Sequence, residues 1–449
     1  MPARLLQVSI LVLLGLLCTR SYRSGAPTAF AASACSTQQV QFVGTGYPAA
    51  ESSIAVIACA TSRIRYLAPK TPVRVRFLTA DALRAAITQT TQYELAAESA
   101  SGSATALHLL GALSPLQDLA TIYRGQYSIQ SAADYDIRSR TLNVRASTTS
   151  FTPLDRAVIA HEFTKALQDQ SFGLGGLLLS AMSAGNYNSD ALLARQAVVE
   201  GDAFTTMLDY SASFSRQDQV TFNQQLQDAG TSISDFVHDR IGFPAQQGTA
   251  FVKYLMTVAA KGKTGAAASA AAVAAVNHAL AHPPVSTRQV LNPSLYLQSA
   301  QQNAAMPVPT VALGGQWKET STDVLGSFAI ADLLGQHQAS GSSAQAANQA
   351  AVALASDRWA LYLQAGDSML VWRGHFDSTA GASAFVKAFL VYTGGRFHAT
   401  LATAAPVDWH AAGYAMSLRQ RGPEVVLTIG SSPDLQAQCG KASSLLGFG

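Results

Sequence analysis

The stretch from Thr152 to Gln170 constrains this chain more than any other. Thr152 or Asp155 suits a helix cap, Pro153 suits a first turn, and Gly173 and Gly175 punctuate the far end. Residues 154–170 therefore read as one strong helix. Residues four apart share a helix face, so His161 and Lys165 stand one turn apart on the same side, with Glu162 next to His161. Two histidines at that spacing, with a glutamate after the first, hold zinc and its reactive water. Here the second place is a lysine. If that lysine is buried, it needs carboxylate partners.

At 449 residues the chain has room for two or three domains and a large core. Hydrophobic residues make up 48% and charged residues only 13%, so much of the polar surface is Ser, Thr, Gln and Asn. A net charge of +3, with no dense Lys/Arg patch interleaved with aromatics, argues against nucleic acid as a partner. Arg4 opens an apolar run over residues 5–18, shorter than the ~20 residues that span a bilayer. Small residues come next, in Ala29, Ala31, Ala32 and Ala34, as a signal peptidase requires. Residues 1–34 read as a signal peptide or, because Arg20 and Arg23 lengthen the spacer, as an uncleaved membrane anchor. Either way the protein is exported, to the medium or the cell surface.

Export gives the cysteines meaning, because oxidising compartments allow disulfides. The mature chain keeps Cys35, Cys59 and Cys439, enough for one bridge and one thiol. A Cys59–Cys439 bridge would tie the C-terminal tail to the start of the domain; three unpaired thiols are the alternative.

Along the chain, helices are expected over 54–66, 83–87, 105–122, 154–170, 190–210, 217–228, 248–260, 266–281 and 379–390. Period-two alternation marks a strand over 73–78, and further strands are expected over 127–129 and 141–145, with Tyr135 and Asp136 in the turn between them. Pro307 and Pro309 mark a boundary. Beyond it, strands over 359–363, 369–373 and 425–429 are expected, the first two joined at Ala365-Gly366-Asp367. Trp359, Trp372 and Phe376 read as core, and His278 and His282 as solvent-facing. His238-Asp239 could replace a lost metal-ligand pair but reads first as a loop-surface pair. No Gly-x-Ser-x-Gly elbow supports a serine hydrolase.

Three blocks stand in a telling order: Val158–Phe172 around His161-Glu162, Ala194–Ala203 around Glu200-Gly201-Asp202, and Pro283–Tyr296. Together, over roughly residues 60–390, they resemble bacterial exported metallopeptidases of the gluzincin type. The resemblance implies an α+β fold with a zincin-like core, a small sheet plus helices, over 35–306, and a C-terminal α+β unit over 307–449. It implies His161 as first zinc ligand, Glu162 as general base, Glu200 as third ligand and Asp202 as a group that orients His161. Lys165 stands where the family has its second histidine, Arg288 where it has an acid, Asn292 where it has a histidine, and Ala245 ends a Phe243-Pro244 motif that usually closes on an aromatic. The first three alter the expected site.

Lysine ligates a metal only as the neutral amine, and holding it neutral at pH 7 costs about 4 to 5 kcal/mol. A protonated Lys165 placed at the metal position, between Glu200 and Glu162, is the easier arrangement. The expectation is therefore a pseudopeptidase: zinc belongs to the family but is not bound here, and the cleft holds a peptide or protein segment along an edge strand at 141–145. The alternative is an active zinc metallopeptidase with Glu162 as base.

Overall fold

The computed structural model describes residues 38–44, 46–89, 103–114, 132–146, 151–179, 187–228, 236–298, 306–336 and 341–448. The fold is α+β, with many helices and two separate sheets. The expected strand over 127–129 and the second half of the helix over 105–122 lie outside the described residues.

The first sheet is built from β1 (Val40–Val43), β2 (Val73–Leu78), β3 (Ala133–Asp136) and β4 (Thr141–Arg145), in the order β1-β2-β4-β3. Strands β1, β2 and β4 are parallel, and β3 runs antiparallel to β4. Helix α1 (Pro48–Arg65) is the crossover from β1 to β2, the long connection parallel strands need. Strand β4 is thus interior, not the edge the sequence predicts; among the described residues the edges are β1 and β3. Both faces of β4 are covered. Asn143, on the polar side, is fully buried because Arg76 donates to its Oδ1 from Nε and Nη2 at 3.0 and 2.8 Å. Tyr135 and Asp136 belong to β3 rather than to the turn. The turn comes directly after them, and Asp136 shapes it by accepting from Arg138 N at 2.9 Å and Ser139 Oγ at 2.6 Å.

Helix α2 (Ser103–Leu110) ends at Gly111, which takes the left-handed φ of +84°. The central helix α3 (Pro153–Phe172) matches its sequence signals closely. Thr152 and Asp155 form a reciprocal capping box, and Gly173 closes the far end at φ 71°. Its apolar side packs with the sheet, α1 and Met207, Tyr210 and Phe214 in one core. A short helix α4 (Leu174–Leu179) leads on to α5 (Ser189–Ser211), α6 (Arg216–Asp228) and α7 (Phe236–Ala260). Helix α7 starts twelve residues before the expected 248, and Pro244 lies inside it. Burial of Phe236, Val237 and Phe243 holds the extra turns. Helices α5 and α7 touch backbone to backbone: a Cβ on Gly201 would lie 2.2 Å from the carbonyl carbon of Gly248. The alanine-rich α8 (Gly265–Ala281) adds Val276, Ala279 and Leu280 to this second core. Two short helices come next, α9 (Thr287–Leu291) and α10 (Pro293–Leu297).

The second sheet comprises β5 (Lys318–Asp323), β6 (Leu354–Gln364), β7 (Asp367–Phe376), β8 (Val407–Ala411), β9 (Tyr414–Arg421) and β10 (Glu424–Gly430). It is wholly antiparallel, in the order β5-β6-β7-β10-β9-β8. The expected hairpin at Ala365-Gly366 joins β6 to β7, with Trp359 opposite Trp372. One face carries α11 (Gly326–Gly335), α12 (Gly341–Val352) and α13 (Thr379–Phe397); the other carries α14 (Gln436–Leu445). Helix α2 and the start of α7 also pack into the first of these cores. Tyr392 Oη donates to Leu110 O at 2.8 Å, so the two halves of the chain interlock.

Cys59 is disulfide-bonded, whereas Cys439 is a free, buried thiol whose pKa burial pushes up to about 12. The Cys59–Cys439 bridge considered from sequence does not form. Among the described residues no helix is long and apolar enough to cross a membrane. Residues 1–34 lie outside the described ones.

Candidate functional site

Packing of α3 against α5 beneath β3 brings three of the predicted residues around Lys165. From Lys165 Nζ, Glu200 Oε1 is 3.2 Å away and Glu162 Oε2 is 3.3 Å away. His161 Nε2 lies 2.9 Å from Glu200 Oε2 and 3.8 Å from Glu162 Oε1. Glu162 is pinned from above as well, since Tyr135 N donates to its Oε2 at 2.9 Å. The ring of Phe204 stands edge-on to His161 at 4.6 Å. His161 and Lys165 reach the same carboxylate because they share a face of α3, as the i,i+4 spacing predicts.

Electrostatics here are set by burial and proximity. Burial alone would lower the Lys165 amine, but Glu162, Glu200 and Asp134 outweigh it and raise its pKa well above the ordinary lysine value. Burial alone would raise Glu200, but Lys165 and His161 hold it below the ordinary carboxylate range. Asp134 goes the other way: burial, then the charge of Glu162, push it up to about 7. Its Oδ2 is buried without a hydrogen-bond partner among the described residues. The cluster at neutral pH is thus an ammonium clamped between two carboxylates, with a third carboxyl poised near neutrality.

The donor set does not suit zinc. A catalytic zinc takes three protein ligands plus water. Here His161 and Glu200 bond to each other, and the next group on that face is a cation. Among the described residues no group of three or more His, Cys, Asp or Glu is arranged to hold a metal ion.

The remaining predicted residues stand elsewhere. Asp202 is engaged by Arg65 Nε at 2.7 Å and by Gln168 Nε2 at 2.7 Å, not by His161, whose Nδ1 is buried without a partner among the described residues. Arg65 also reaches Asn277 Oδ1 at 2.7 Å, so this network ties α1, α3, α5 and α8 together behind the cluster. Arg288 donates to Val352 O at 2.8 Å and pairs with Asp377, which directs its charge to the second half of the chain and not into the cluster. Asn292 sits at the joint between α9 and α10, accepting from Ser294 Oγ at 2.6 Å. Phe243 packs on Phe328 at 4.4 Å.

Sequence reasoning missed Asp134, Tyr135 and Asp169. Tyr135 Oη donates to Asp169 Oδ2 at 2.8 Å, a second tie between β3 and α3. A signal for Asp169 was present, since it lies four residues after Lys165 on the same face. None marked β3, because Ala-Asp-Tyr-Asp is too short and too polar to announce a strand. His278 and His282 are exposed and stack on each other at 4.5 Å. Comparison with protein-family models, curated proteins and solved structures finds no match.

Proposed function

We propose that this is an exported pseudopeptidase: a gluzincin-type, zincin-like scaffold in which the Lys165 ammonium stands in for the metal. The single observation that carries the reading is the position of Lys165 Nζ, 3.2 Å from Glu200 and 3.3 Å from Glu162. One fixed positive charge there neutralises the carboxylates that relatives of this type would devote to zinc and to water activation. Glu162, held by Tyr135 N and Lys165, has little freedom left to act as a general base on water, so the active-peptidase reading is the weaker one. No zinc is bound in this reading. A peptide or protein segment would lie along β3, the edge nearest α3 among the described residues, and not along the interior strand at 141–145. The disulfide at Cys59 supports export, as does the apolar run over 5–18, which leaves the mature protein secreted or tethered to the bacterial cell surface.

The test is the zinc content of the purified mature chain beside Lys165→His, by elemental mass spectrometry. The expected outcome is near zero for the wild type and near one zinc per chain for the variant. A wild type holding one zinc per chain sinks the proposal. If neither binds, the scaffold has lost more than one ligand, and the zincin resemblance itself loses its support.

A further inference from the structure

The end of α8 carries two histidines that the Lys165 cluster does not use. His278 and His282 are four residues apart, so their side chains leave the chain on one face, one helical turn apart. Both are exposed, and their rings lie nearly parallel, with centroids 4.5 Å apart and planes 27° from each other. Among the described residues neither ring forms a hydrogen bond or an ion pair, so the ring nitrogens stay open to a ligand.

The backbone holds this pair in place. His282 N donates to His278 O at 2.8 Å, which carries the last turn through to His282. Tyr296 Oη donates to His282 O at 2.8 Å, and Pro283 directly after His282 restricts its backbone further. Tyr296 is itself set edge-on against Phe251 at 5.3 Å. Between the two histidines, Ala279 and Leu280 are buried in the core shared with α5 and α7, which anchors the turn. Asn277, one residue earlier, faces α1 instead and accepts from Arg65. The setting also favours a cation. Residues 265–282 include no Asp, Glu, Lys or Arg, and the carbonyls at the C-terminus of this 17-residue helix leave partial negative charge there.

We propose that His278 and His282 together chelate one divalent transition-metal ion, with Cu²⁺ held more tightly than Zn²⁺ or Ni²⁺. Two imidazoles at i and i+4 on one helix face are the spacing with which helices grip such ions. An ion ~2.0–2.1 Å from each nitrogen sets the two nitrogens about 3 Å apart. Rings with centroids 4.5 Å apart reach that spacing by small side-chain rotations. Two protein nitrogens, with water in the remaining positions, suit Cu²⁺, which also leads the general order of affinities; hard Ca²⁺ and Mg²⁺ want oxygen ligands that this pair lacks. A catalytic zinc needs a third protein ligand, so the pair is a binding site and not a second peptidase centre. It is independent of the pseudopeptidase reading.

The probe is copper(II) chloride, titrated calorimetrically into the mature chain at pH 7.5 in a buffer that does not bind metal, with His278→Ala and His282→Ala alongside. The expected result is one saturable Cu²⁺ site with Kd on the order of 10 μM, weakened about tenfold or more in each variant, since either substitution breaks the chelate. Zn²⁺ and Ni²⁺ should compete more weakly, and millimolar Mg²⁺ or Ca²⁺ not at all. The electron paramagnetic resonance spectrum of the copper-loaded wild type should show two coordinated imidazole nitrogens. Both variants place alanine, the best helix former, at an exposed position, and their thermal midpoints in the absence of metal check that they fold as the wild type does. The proposal is overturned by the absence of a saturable site, by copper affinity unchanged in either variant, or by a single-nitrogen spectrum. Repeating the zinc count in the His278→Ala background keeps the two sites apart: zinc lost with His278 belongs to this pair, and zinc that stays belongs to the Lys165 cluster.

Discussion

Lys165 shows how much one side chain can decide. It sits largely buried where two helices meet, and its charge is balanced there by Glu162 and Glu200. Removing the cation while keeping the volume leaves two carboxylates buried without a counter-charge. Lys165→Met should therefore lower stability by about 3 kcal/mol at pH 7, the low end for breaking a buried pair, read from chemical denaturation. The pH dependence has a definite sign. Glu200 is held below its unfolded pKa, so its stabilising contribution is full above about pH 4.5 and is lost as pH falls. Lys165 is held above its own, so its contribution is full below about pH 10.5. In Lys165→Met the carboxylates prefer their protons, so the deficit should shrink as pH is lowered from 7 to 4.5. A deficit that does not change with pH would mean that packing, and not charge, is what Lys165 supplies. At this scale His161, Glu162, Lys165 and Glu200 were all legible, since helical spacing alone sets three of them on one face. Asp202 was placed wrongly as a partner for His161. Arg65, 137 residues earlier in the chain, competes for it, and no local pattern announces such a partner.

At the level of elements, α5 and α7 approach closely enough for their backbones to touch. A Cβ on Gly201 would meet the Gly248 carbonyl carbon at 2.2 Å, and one on Gly248 would meet Ala197 O at 2.0 Å. Backbone atoms cannot rotate away as a side-chain tip can. Gly201→Ala should thus cost roughly 2 kcal/mol or more, despite the helix propensity that alanine adds, and the thermal midpoint should fall accordingly. An unchanged or higher midpoint would show that the two helices can slide apart freely. Because α5 carries Glu200, the same variant should also disturb the Lys165 cluster. The helices with strong caps and clear periodicity, α3 and α5, were legible from sequence almost to their ends. The edge strands β1, β3, β5 and β8 were not. They are short or polar, and each is held by pairing with a partner from elsewhere in the chain rather than by its own alternation.

Across the molecule, the seam between the two halves is built on buried aspartates that cap backbone N–H groups. Asp190 receives Thr287 N, Asp323 receives Ser189 N and Val324 N, and Asp357 receives Leu325 N and Gly326 N. Burial, the largest influence in each case, raises all three, with Asp190 and Asp323 reaching about 7. An acid whose folded pKa lies above its unfolded value holds a proton that the unfolded chain releases. The stability tied to these groups is therefore greatest near pH 4 and declines as pH rises through about 7. Wild-type unfolding free energy should fall between pH 5 and pH 8, and Asp190→Asn should flatten that slope, by denaturant titration at each pH. A slope unchanged in the variant would remove Asp190 from the account.

Local rules were enough for the α+β composition, the central capped helix, the hairpin of the second sheet and the residues that gather at Lys165. Spacing along a helix, caps and turns are written in neighbouring residues, so the chain carries them before it folds. Long-range packing had to choose that β3 is the edge above the cluster and that Arg288 serves the seam instead of the cleft. It also assigned Asp202 to Arg65 and kept Cys439 a thiol. Each of these depends on which distant segment arrives as a neighbour, and burial makes that choice by satisfying polar groups jointly across the fold.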